Sequence, residues 1–141
     1  MHLTSAQKNQ IVEEATQWRE SQYCSKSEAE LKAMDAVFTP PLVTIKMIES
    51  FSCDSFDNMT ILDPTCGSGN LLAACVIAGA NPTKVYGNEL DADFVELARK
   101  RLSLLGVPIE NIHQGDALCS SCIEKSSFSN DYKYHKKVSL W

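Results

Sequence analysis

No proline follows position 108 in this 141-residue chain; the five present stand at 40, 41, 64, 82 and 108. Any chemistry that needs a proline carbonyl in the last thirty or so residues is therefore excluded there. Long hydrophobic runs are also missing. The longest, 71–80, contains a glycine and a cysteine and falls well short of the roughly 18 residues a membrane helix needs. Met1-His2-Leu3-Thr4 shows no basic start leading into an apolar core, so no secretory signal is read, no membrane partner is expected and a cytoplasmic location is. Without such a signal the six cysteines read as thiols rather than a disulfide framework. Cys119 and Cys122 form a lone C-x-x-C, and Cys24, Cys53, Cys66 and Cys75 offer no second pair at zinc spacing, so no metal is expected. Excess positive charge is absent too: the net charge is −5. The basic clusters, Lys133 with Lys136-Lys137 and Arg99-Lys100-Arg101, are short and read as solvated faces. Phosphate neutralisation supplies most non-specific nucleic-acid affinity, so DNA is expected to bind this chain only weakly or through a partner.

What is present fits one globular unit: 44% apolar and 22% charged residues are ordinary proportions. Residues 5–22 read as a polar helix with a thin stripe of Ile11, Ala15 and Trp18. Ser27 and Glu30 have capping-box spacing, so a short helix is expected to about Met34. Phe38-Thr39-Pro40-Pro41 breaks the chain, and a proline suits the first turn of the next helix, with Leu42, Ile45, Ile48 and Phe51 on one face. After a polar turn over 54–58 the rhythm changes. Strands are expected over 60–62, 84–87 and 109–113, alternating with helices over 69–78 and 91–104. Short connections of this kind give a parallel sheet of order 3-2-1. The fold class is α/β, a partial Rossmann-like architecture with an N-terminal helical segment over 1–35, a sheet unit over 36–118 and a tail over 119–141. In the tail, 117–125 reads as helix and 131–141 as strand material.

Each expected strand ends in an acid: Asp63, Glu89 and Asp116. Ligands of such sheets sit at the carboxyl ends of the strands, so three acids there, with glycines beside them, mark a site. Gly67 and Gly69 remove side chains where strand turns into helix, and the helix N-terminus points at the same spot. A phosphate is one candidate guest. The run 63–70, however, lacks both the G-x-G-x-x-G spacing and the Lys-Ser/Thr of a phosphate loop. Asp63 would repel a pyrophosphate and attract a cation. A ligand with an amine and a sulfonium but no phosphate fits better, with Glu89 accepting from ribose hydroxyls and Asp116 from an adenine amino group.

Asp63-Pro64-Thr65-Cys66-Gly67-Ser68-Gly69-Asn70-Leu71 resembles motif I of the adenine-specific N6 DNA methyltransferases, especially the modification subunits of type I restriction systems. Val85-Tyr86-Gly87-Asn88-Glu89-Leu90-Asp91 is similar to motif II, and Gly115-Asp116-Ala117-Leu118 to motif III. Phe38-Thr39-Pro40-Pro41 resembles motif X, which in that family holds the methionine end of the cofactor. The resemblance covers about residues 36–118. It implies S-adenosylmethionine as cofactor, held by Phe38, Thr39, Pro40, Asp63, Thr65, Cys66, Gly67, Gly69, Asn70, Glu89, Leu90, Asp116 and Ala117.

The family's catalytic run, Asn/Asp/Ser-Pro-Pro-aromatic at the end of the fourth strand, has no counterpart after Asp116. Its oxygens hold the flipped adenine's amine, and its ring stacks on the base. Two accounts follow. The chain is a fragment or shortened relative of a methyltransferase, inactive alone. Alternatively it is a small cofactor-binding module that sequesters or senses S-adenosylmethionine, or acts as a restriction-modification decoy or partner subunit. The first strand is also left with an edge that residues 132–141 or a second chain must cover, and self-association or pairing with another subunit is expected.

Overall fold

The structure is a computed structural model and describes residues 1–19, 26–33, 38–119 and 138–140. The expected helical stretches at Gln22 and Met34, residues 120–125 of the expected tail helix, and Tyr132 and Tyr134 lie outside the described residues, as do Cys24 and Cys122. Helix α1 spans Ser5–Gln17. Thr4 accepts from the Gln7 amide at 3.1 Å, while the Gln7 side chain accepts from the Thr4 amide at 2.9 Å. Two of the orphan donors of the first turn are thus satisfied reciprocally. The helix ends at Trp18, earlier than expected, and buries Ile11 and Trp18. Helix α2, Glu28–Ala33, carries the expected capping box, with Ser27 and Glu30 bonded both ways.

Helix α3, Pro41–Glu49, has proline in its first turn as expected. Its buried face is Thr44, Ile45 and Ile48, whereas Leu42 is 67% exposed. Leu42 precedes Ile45 by three residues, yet it stands outside the core cluster. The turn 54–58 is less polar than its composition suggests. Phe56 is buried and meets Phe51 edge to face at 5.8 Å.

Strand β1, Thr60–Asp63, is buried throughout. Helix α4, Asn70–Ile77, buries five successive residues from Leu71 to Cys75, so it is a core helix rather than an amphipathic one. Strand β2 is Val85–Glu89, and helix α5 is Ala92–Ser103, N-capped by Asp91. Strand β3, Ile112–Gln114, is shorter and later than expected, because Ile109–Asn111 form a 3-10 turn. Strand β4 is Val138–Leu140.

All pairings are parallel, in the order β3-β2-β1-β4. The expected 3-2-1 order therefore stands, with β4 added beside β1. Of the two candidates for covering that edge, the chain's own end takes the place, with Ile61 in register with Ser139 and Leu62 with Leu140. This removes the premise for association through β1, because its hydrogen-bonding edge is already paired. Gly87 explains how tightly the layers meet. A Cβ there would stand 2.8 Å from the Cys66 sulfur and 2.9 Å from Leu72 Cδ1, so only glycine lets the site loop and α4 lie on β2.

Candidate functional site at the strand ends

Asp63 ends β1 at 8% exposure. Its carboxylate accepts from the Thr65 amide at 3.0 Å, the Asx-type contact that turns the chain out of the strand. Burial pushes the Asp63 carboxyl above its ordinary range and the charge of Glu89 adds to this, while the Thr65 amide opposes it. The loop is then tied to β2. The Cys66 amide donates to the Asn88 carbonyl at 2.9 Å, and the Gly67 amide to Glu89 Oε2 at 2.9 Å. Gly67 and Gly69 both have positive φ, +54° and +89°, a conformation that costs other residues roughly 1–2 kcal/mol. Cys66 is a buried thiol, raised well above its usual range by burial and then by the charges of Asp63 and Glu89. Its place in the structure is the wall of the site loop.

From the other side, the Phe38 ring lies over Gly67, at van der Waals distance from where a Cβ would stand. It meets Phe94 edge to face at 5.2 Å, and the Thr39 carbonyl accepts from Asn70 Nδ2 at 3.2 Å. Lys26 leans over Phe94 and pairs with Asp93 at 2.6 Å and Asp91 at 3.3 Å, fastening the segment before α2 to the start of α5.

Phe38, Thr39, Asp63, Thr65, Cys66, Gly67 and Asn70 line one small cavity of about 50 Å³, together with Ser68 and Leu71. Among the described residues no basic side chain lines it. Phe38, Thr39 and Asn70 also border an adjoining cleft of about 370 Å³, reached by Pro40, Arg19 and Glu28. Not every expected residue stands at the cavity wall. Glu89 accepts from the Gly67 and Asp91 amides, so it holds the loop. Gly69 faces Leu102, Leu90 is 67% exposed, and Ala117 is half-buried. Asp116 is exposed and accepts from the Leu118 amide at 2.9 Å. It lies beyond β3 rather than at its end, so the three acids do not form one row in register.

Two residues with a part in the site, Asn88 and Arg101, were not legible. Asn88 is buried and donates to the Pro64 and Gly115 carbonyls, at 3.1 and 2.9 Å, clasping the loops after β1 and β3. Among the described residues its Oδ1 has no hydrogen-bond partner. Arg101, expected on a solvated face, is fully buried. It pairs with Glu14 and donates to the Ser68 carbonyl and Asn70 Oδ1. The only sequence signal for it was its place on the apolar face of α5, three residues after Ala98 and one before Leu102. Among the described residues there is no group of three or more His, Cys, Asp or Glu side chains placed to hold a metal, and no helix long and apolar enough to cross a membrane.

The chain is similar to known proteins over much of this region. The chain is 33% identical over 98 residues to the type II methyltransferase M.VspI of Vibrio sp. (strain 343), covering 69% of this chain and 24% of that protein. It thus spans about a quarter of that relative's length. The methyltransferase subunit of a type I restriction-modification system from Streptococcus thermophilus is 34% identical, covering 57% of this chain and 19% of that one at a TM-score of 0.47. An RNA methyltransferase from Salinibacter ruber, solved with S-adenosyl-L-homocysteine, is 24% identical and covers 73% of this chain and 72% of that one at a TM-score of 0.48. The family profile described as rRNA methyltransferase AviRa matches residues 43–128, a stretch that takes in most of α3, the loops after β1, β2 and β3, and the first three strands. With more than half its length inside that match, the chain belongs to this methyltransferase family.

Proposed function

We propose that the strand-end site binds S-adenosylmethionine, and that the chain is the cofactor-binding part of a nucleic-acid methyltransferase. The observation that carries this is a buried acid, Asp63, in a cavity whose described lining holds no basic side chain. Asp63 is raised by burial and by Glu89, and only polar, apolar and backbone groups complete the wall. Such a cavity disfavours phosphate and is relieved by a positive group on the ligand. When bound, S-adenosylmethionine supplies a transferable methyl group on a sulfonium. The small cavity is below the usual size for a whole ligand of this kind, and the adjoining cleft lies within the ordinary range of about 300–1,000 Å³. Arg19 lines that cleft and suits a ligand carboxylate, while Phe38 offers an apolar face. Titration calorimetry with S-adenosylmethionine and its demethylated product tests the reading. Heat and saturation are expected, and silence with both would reject it.

For substrate, motifs X, I, II and III favour DNA adenine, with methyl transfer to N6. Strand β4 gives this reading a structural basis. Leu140 pairs with Leu62, one residue before Asp63, so the carboxyl end of β4 lies beside the strand that leads into the site. By the resemblance, that is the position of the catalytic Pro-Pro-aromatic run. Residues 117–141 contain no such run; on this reading the chain holds the cofactor, and another segment or subunit supplies the catalytic residues. Sequestering or sensing of the cofactor, or a decoy or partner role in restriction-modification, is the alternative without catalysis. The family description favours a second reading, in which rRNA is the substrate. Radiolabelled methyl transfer to unmethylated DNA and to ribosomal RNA separates these. Incorporation into RNA by the chain alone would displace the DNA reading, and robust incorporation into DNA would overturn the missing-motif argument.

A further inference from the structure

We infer that Arg101 is a positioning residue for the site loop, coupling α1 to the cavity wall through a continuous chain of polar contacts. The inference rests on the cofactor reading for its binding consequence, but its geometry stands independently. Arg101 is 0% exposed, which for a guanidinium demands that its donors be met. Nε donates to Glu14 Oε1 at 2.7 Å, and Nη2 pairs with the other Glu14 oxygen. Nη1 donates to the Ser68 carbonyl at 3.3 Å and to Asn70 Oδ1. Asn70 then passes the contact on, donating from Nδ2 to the Thr39 carbonyl at 3.2 Å.

The planar fork matters here. One edge meets the α1 carboxylate, and Nη1 reaches two groups in the loop. Ser68, Asn70 and Thr39 all line the small cavity, whereas Arg101 and Glu14 do not border it. Arg101 thereby fixes the spacing between the loop after β1 and the Phe38-Thr39 segment that closes over Gly67. A buried ion pair is weak evidence of stabilisation, because apolar replacements of similar volume are often as stable. That makes a positional role separable from a merely structural one.

The test uses the full chain. The double variant Glu14→Leu/Arg101→Met removes both charges together, and Arg101→Lys keeps a charge for Glu14 while losing the fork. Each is followed by urea unfolding, by amide hydrogen exchange at Gly67 and Gly69 against amides within β2 and α5, and by calorimetry with S-adenosylmethionine. Exchange in the loop is expected to quicken at least tenfold, with β2 and α5 unchanged, and cofactor affinity to fall at least tenfold in a variant that still unfolds cooperatively. Loop exchange and affinity both within twofold of the parent, in either folded variant, would overturn the inference. If the parent chain itself gives no binding heat, the cofactor reading fails, and loop exchange still decides whether Arg101 positions the loop.

Discussion

Asp63 and Glu89 end the neighbouring strands β1 and β2 and act on the same loop in different ways. Asp63 is the buried charge. The folded protein holds its proton more tightly than the unfolded chain does, since its carboxyl is raised above the ordinary range. Its ionised form therefore costs stability as pH rises through that raised value, and the cost vanishes on acidification. Asp63→Asn keeps an acceptor for the Thr65 amide and discards the charge. Its melting temperature is expected to exceed the parent's at neutral pH and to converge on it at mildly acidic pH, while affinity for S-adenosylmethionine falls. A variant less stable than the parent at neutral pH would contradict this. Glu89 holds structure: its two oxygens accept from the Gly67 and Asp91 amides. Glu89→Ala leaves both donors without that partner, a loss of about 1–3 kcal/mol. Chemical denaturation should show that loss, together with a drop in cofactor affinity of roughly tenfold or more. Unchanged affinity would make Glu89 a loop tie alone.

The loop that turns β1 into α4 depends on glycine at two points with unlike reasons. At Gly67 the positive φ alone demands it, since a Cβ would meet only the Phe38 ring at 3.8 Å. At Gly69, which caps α4, φ is +89° and a Cβ would press to 3.1 Å on Leu102. Gly69→Ala combines left-handed strain with a crowded contact between α4 and α5. It is expected to cost more than the roughly 1–2 kcal/mol of the conformation alone, read as a lowered urea midpoint. Gly67→Ala should stay nearer that lower figure. Equal losses at the two positions would show that packing against Leu102 adds nothing.

For the whole molecule, β4 decides how the sheet meets its surroundings. It covers β1 along Thr60–Leu62 and so occupies an edge otherwise open to another strand. Deleting residues 138–141 is expected to expose that edge and shift the protein toward dimers or larger species in light scattering. The full chain should show less association at equal concentration. The net charge of −5 also belongs to this scale. Weak binding to duplex DNA that disappears with added salt is the expected behaviour, because few phosphates can be neutralised.

Helix and strand order, the parallel sheet and the glycine loop were legible because they follow from local periodicity, caps and turn chemistry. The Ser27–Glu30 box, Pro41 opening α3 and Asp91 capping α5 are decided by residues within one turn of each other. The run 63–70 marked the site by the same logic, since a strand that ends in an acid and turns on glycine has few other conformations. Partnership between distant residues was not legible. That Arg101 is swallowed rather than solvated, that Glu89 spends its oxygens on the loop, and that Asp116 turns aside depend on contacts made only when α1, the loop and the sheet come together. Local sequence fixes backbone geometry because neighbours share a few dihedral angles. The burial of a charge is settled only by what packs around it, and here that is Glu14, 87 positions away.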